Sequence, residues 1–178
     1  MIMQKLIEQK PPMHWERYVW NKMCISRYKF INWLVMRGRL HTAERSVIYD
    51  PTVSPLCLLC GEADETQTHL LFQCCYSKQV LVVIKRWMNI ESPGEELSGL
   101  IRSISRSRRS KFQKDACNAV IAGAVYGIWM ARNDCKWNLK VPTILCIVKM
   151  MKENVRRRIF LVMPKNVSRI DRSWFQSL

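Results

Sequence analysis

A chain of 178 residues, 48% hydrophobic and with seven tryptophans, carries enough apolar surface to bury a core, which excludes global disorder. Lysine and arginine number 29 against 14 acidic residues, and a net charge of +15 points to a polyanionic partner, nucleic acid first. The longest apolar run, residues 119–131, is too short to cross a bilayer, so no membrane partner is expected. Eight cysteines without a charged-then-apolar leader read as reduced thiols of a nuclear or cytoplasmic protein rather than a disulfide framework.

In chain order, residues 1–14 reach Pro11-Pro12, which disfavours helix, and are expected to be a flexible arm. From Trp15 to Arg39 the apolar positions Trp15, Val19 and Met23, then Phe30, Trp33 and Leu34, recur at helical intervals. They predict one or two helices stopped by Gly38. Thr42 is an expected N-cap for a further short helix, and Pro51 and Pro55 bracket a loop. That loop leads to the most informative stretch of the chain.

Cys57-Leu-Leu-Cys60-Gly61 is followed by His69 and Cys74, the ligand inventory of a closed Cys3His zinc site. Three thiolates and one imidazole fill a tetrahedral zinc and leave no position for water, so Zn2+ here is structural rather than hydrolytic. Thr66 to Cys74 reads as a short helix bearing His69. On a regular helix Cys74 lies about 140° round from His69, so the helix must end or loosen before Cys74 for its sulfur to reach the metal. The neighbouring Cys75 is an alternative fourth ligand. A redox Cys-x-x-Cys is the competing reading, but that motif opens a helix in a βαβ context, and none precedes it here.

Beyond the cysteines, Tyr76 to Met88 places Val80, Val83, Ile84 and Trp87 at helical spacing, with enough β-branching to leave strand open. Pro93 to Glu96 predicts a turn. Residues 91–113 then read as a basic Arg/Ser linker, because Arg102 to Lys111 carries five cations and no acid. Lys114 to Leu139 predicts a helix apolar on nearly all sides, with Gly123 and Gly127 allowing a second helix close approach. Thr143 to Phe160 predicts a last helix with Ile144, Ile147, Val148, Met151 and Val155 inward and a basic outer face. Residues 161–178 read as a polar tail, with Trp174-Phe175 as an exposed anchor or docking strap.

The order Trp20, Lys29-Phe30-x-x-Trp33-Leu34, Gly38-Arg39-Leu40-x-Thr42, Cys57-Leu-Leu-Cys60-Gly61, Glu65-Thr66, His69-Leu-Leu-Phe72 and Cys74 resembles a known family. It is similar to the zinc-binding domain found downstream of reverse transcriptase in plant LINE-type (non-LTR) retrotransposons. Ile128-Trp129-x-Ala-Arg132-Asn133-Asp134 is similar to the Trp-x-x-Arg-Asn element that commonly follows. The core of the resemblance covers residues 15 to 88, and a weaker similarity extends to 160. It implies that Cys57, Cys60, His69 and Cys74 bind zinc, and that the module comes from a retroelement polyprotein engaging RNA or target DNA. The chain departs from the pattern at Val80-Leu81, where a further aromatic is expected, and it carries no polymerase segment. After Asp134 only Glu153 and Asp171 remain, too few carboxylates for an RNase H site with two metal ions.

These readings give a mainly α fold: a small helical domain with an embedded Cys3His segment over residues 15–90, then a helical C-terminal region over 114–160. The expected function is a non-catalytic, zinc-stabilised nucleic-acid-binding module, with Arg106, Arg108, Arg109, Lys111, Arg156, Arg157 and Arg158 as phosphate contacts. Lys29, Arg37 and Arg39 form a second candidate patch. The alternatives are a protein-interaction module docking a polymerase or other partner, and a relic without selected activity.

Overall fold

A computed structural model of the chain describes residues 15–91 and 96–178. The expected arm and most of the Pro93–Glu96 turn lie outside the described residues. The helices in chain order are α1 (Glu16–Val19), α2 (Ser26–Met36), α3 (Ala43–Tyr49), α4 (Cys75–Met88), α5 (Leu97–Arg106), α6 (Lys111–Asn138), α7 (Ile144–Val162) and α8 (Arg169–Gln176). A π turn at His69–Gln73 runs straight into α4. The described residues contain no strand, only an isolated antiparallel bridge between Leu56 and Asp64. The fold is mainly helical.

The middle of α6 is apolar all round, and the structure gives the reason. It is the central rod on which α7, α2, α4, α5 and α1 all pack. Ala116 to Val125 are buried without interruption, as are Gly127, Ile128, Ala131 and Arg132. Gly123 and Gly127 face α7 with no room for a side chain. A Cβ on Gly123 would stand 2.9 Å from Met151 Cγ, and one on Gly127 would stand 2.9 Å from Ile147 Cγ2. Ser110 caps the start of α6 by accepting from Gln113 N, and Thr143 and Ser168 cap α7 and α8 in the same way.

Several local expectations change. On α2 the buried face is Tyr28, Ile31, Asn32 and Val35, while Phe30 is exposed and stacks on half-buried Trp33. The expected repeat of Phe30, Trp33 and Leu34 is not the inward face, because Tyr28 and Asn32 pack on α6, where the Asn32 amide donates to the Ala122 carbonyl at 3.1 Å. Gly38 does end α2, in the left-handed conformation at φ +61°. Thr42 occupies the N-cap of α3, but its hydroxyl makes no cap bond. The α3 amide of Ala43 instead donates to Glu65 Oε1 at 2.8 Å, a cap supplied from across the fold.

The segment read as a basic linker is helical through Arg106. Leu97, Leu100, Ile101 and Ile104 recur at helical spacing and are all buried, so an apolar face underlies the arginines that dominate the composition. The expected polar tail contains α8. Phe175 is buried edge-on against Phe112, and Asp171 accepts from Ser110 Oγ and Gln113 Nε2 at the start of α6. The tail is thus a strap over the protein's own core.

Candidate metal centre

The loop from Leu56 to Asp64 is pinched by its bridge, and Cys57 N donates to Ala63 O at 2.8 Å. Gly61 closes the Cys-x-x-Cys turn by donating to Cys57 O at 2.7 Å with φ +71°, a left-handed conformation that favours glycine. The second pair of donors comes from the π turn. Thr66 Oγ1 accepts from His69 N at 3.0 Å and starts it, and Cys74 N donates to His69 O at 2.7 Å, the i→i+5 bond of a widened turn. That widening is the loosening the spacing requires. It turns Cys74 back toward the side of His69, while Leu70, Leu71 and Phe72 are buried beneath.

The four donor atoms of Cys57, Cys60, His69 and Cys74 lie within 4.8 Å of one another. Cys57 Sγ is 3.9 Å from Cys74 Sγ, and Cys60 Sγ is 3.3 Å from His69 Nε2. Metal–ligand lengths of about 2.3 Å for sulfur and 2.0 Å for nitrogen require separations of about 3.8 Å and 3.5 Å around a tetrahedral ion. The donors match that arrangement. Cys75 is exposed, opens α4 and stands outside the cluster. Within the cluster the Cys57 thiol donates toward Cys74 sulfur, which holds Cys74 well below the ordinary thiol range, while the same bond and burial push Cys57 up. The pair therefore releases its first proton readily, as a thiolate metal site needs.

A buried ion pair locks this loop to the central rod. Arg132 on α6 donates from Nη2 and Nε to Glu65 Oε1 at 2.8 and 3.0 Å, and both side chains are almost fully buried. The same carboxylate accepts from Ala43 N and, through Oε2, from Leu58 N inside the Cys-x-x-Cys turn at 3.3 Å. Cys135 Sγ on α6 reaches Leu58 O at 3.2 Å, and Tyr76 Oη donates to Pro142 O at 2.7 Å. Glu65 and Arg132 were visible only as parts of separate motifs. Sixty-seven residues apart, they carry no local cue that they pair.

The expected nucleic-acid contacts fall into two groups. At the α5–α6 junction Arg106 and Arg108 are exposed. Lys111 is 3.3 Å from Asp115, and Arg109 donates to the Met88 and Asn89 carbonyls that end α4. On α7, Arg156 and Arg157 are exposed, and half-buried Arg158 donates to Lys22 O at 3.0 Å. Arg109 and Arg158 thus already serve the fold.

Fold and cluster together define a small, mainly helical zinc-binding module. Residues 2–80, which contain all four donors, match the family described as zinc-binding in reverse transcriptase. The family's metal and the donor set agree, and zinc is the cofactor of this segment. No curated protein and no solved structure matches the chain. No helix among the described residues is long and apolar enough to cross a membrane.

Proposed function

We propose that this chain is a non-catalytic module, derived from a LINE-type retrotransposon reverse transcriptase polyprotein of a plant, that binds RNA or DNA in the nucleus or cytoplasm. Cys57, Cys60, His69 and Cys74 would hold the zinc. With all four positions taken by protein, the metal supplies cross-linking and not an activated water. The observation that carries the reading is that Arg106, Arg108, Arg156 and Arg157 are exposed, with no ion pair to any described residue, on a chain of net charge +15. Unpaired surface guanidiniums bind phosphates and release counterions, which gives affinity with little sequence preference.

The test is binding of labelled RNA and DNA across a salt series. Each phosphate contact contributes about 0.7 to 0.9 to the log–log slope. Replacing the four arginines by glutamine should flatten the slope by about 3 in total. Binding that ignores salt and the four substitutions would exclude this reading. It would favour a protein partner such as a reverse transcriptase domain, for which the exposed Val82, Val83 and Leu145 between α4 and α7 offer an apolar surface.

A further inference from the structure

We propose that the cleft between α5 and the end of α4 binds single-stranded nucleic acid, its phosphates on Arg102, Arg106 and Arg108 and a base against Trp174. This rests on the nucleic-acid reading above and gives it a place and a strand preference. The cleft is open along one side and has a volume of about 880 Å³. Arg102 and Arg106 are exposed on α5, and Arg108 is exposed in the connection to α6. All three line the cleft and none has an ion pair with a described residue. Among the described residues lining the cleft, Glu91 is the one acid. Like charges gathered along one hollow repel each other until an anion enters it.

The two helical arginines are one turn apart, about 6 Å along the axis, so they meet a chain of phosphates as a row rather than one anion at a point. Arg109 does a different job. Its guanidinium is held by the Met88 and Asn89 carbonyls, and it fixes the cleft wall.

The second, independent feature is aromatic. Trp174 is half-buried on α8 and lines the same cleft. Phe112 holds it in a T-shaped contact, with ring centroids 6.4 Å apart and planes at 86°. The indole is therefore fixed in orientation at low entropic cost. A basic groove with an aromatic platform inside it is the arrangement that grips single strands, whose bases have free π-faces. Bases in a duplex are stacked on one another and cannot lie against an indole inside a cleft. The α7 arginines have no such hollow beside them among the described cavities.

Fluorescence anisotropy with labelled single strands of about ten nucleotides, RNA and DNA, against the duplex of the same sequence tests this. Wild-type protein should bind either single strand at least about tenfold tighter than the duplex. Arg102→Gln with Arg106→Gln should lower the salt slope by about 1.4 on single strands. Trp174→Leu, which keeps apolar bulk against Phe112, should weaken single-strand binding by about 5- to 150-fold, and Trp174→Phe by less. Trp137→Leu, at an exposed tryptophan on the far end of α6, should change nothing. Equal or tighter duplex binding, or full affinity in the Trp174 and paired arginine variants, would overturn the cleft while leaving the nucleic-acid reading standing. So would equal losses in Trp174→Leu and Trp174→Phe, since these would trace to loosened α8 docking and not to stacking. No binding of any nucleic acid by wild type would overturn both.

Discussion

Glu65 is the residue on which the metal loop hangs. Its carboxylate takes the Arg132 guanidinium, the first amide of α3 and an amide of the Cys-x-x-Cys turn, all within a buried site. Removing one partner of a buried pair leaves the other charge or its donors unsatisfied, which costs about 3–5 kcal/mol. Arg132→Met should therefore lower the urea-unfolding free energy by about that much. The double variant with Glu65→Leu should recover part of the loss. Strict additivity would show that the two side chains do not act as a pair. The cysteines make a separate prediction. Cys57→Ser and His69→Ala should each lose the bound zinc measured by elemental mass spectrometry and lose helical signal with it, because zinc binding is folding free energy. Cys75→Ser should keep one zinc per chain. Loss of metal in that variant would move the fourth ligand one residue along.

At the scale of elements, the packing of α6 on α7 depends on two absent side chains. Adding a methyl at Gly127 improves helix propensity by about 1 kcal/mol. It also places a Cβ against Ile147 Cγ2, a stiff β-branched group, and overpacking of that kind costs about 1–3 kcal/mol. Gly127→Ala should thus be net destabilising in chemical denaturation, and Ile147→Ala should relieve the strain, so the double variant costs less than the sum. A Gly127→Ala protein more stable than wild type would mean that the helices do not approach so closely. The spacing of Gly123 and Gly127 already announced this approach, because only a close helix gives two buried glycines on one face a purpose. A break or loosening before Cys74 was legible in the same way, since His69 and Cys74 cannot share an ion on a regular helix, but the π form of that turn was not. The inward face of α2 was not legible. Its outcome depended on whether Phe30 or Tyr28 met α6, and that contact lies about ninety residues away.

For the whole molecule, buried thiols outside the metal centre set an alkaline limit. Burial raises Cys24 from the ordinary 9.0 to about 12 and Cys117 to about 11. The native state then keeps protons that the unfolded chain gives up. Stability from these groups is fully present below about pH 9 and is lost as pH rises toward 11–12, by up to about 1.4 kcal/mol per pH unit for each thiol. Urea midpoints measured between about pH 8 and 11 should fall, and Cys24→Ala should fall less steeply. An unchanged slope in that variant would place Cys24 in contact with water. Both thiols belong to the same continuous core as the zinc loop, so the loss is expected as one cooperative transition.

The sequence by itself determined the helical class, the donor set up to the choice between Cys74 and Cys75, the need for the helix to end or loosen before Cys74, and a close helix approach at Gly123 and Gly127. Each of these is a short-range constraint: a period, a ligand spacing, a missing Cβ. The apolar face of α5 stood in the helical spacing of Leu97, Leu100, Ile101 and Ile104, hidden only by the arginines that dominate the composition. Only the tertiary structure decided that Glu65 meets Arg132, that α8 straps the core, and that Trp174 shares a cleft with Arg102. Those facts depend on which surfaces meet across long loops. Local propensity is silent there, because the energy that selects the pairing comes from burial and charge neutralisation between residues that the chain keeps far apart.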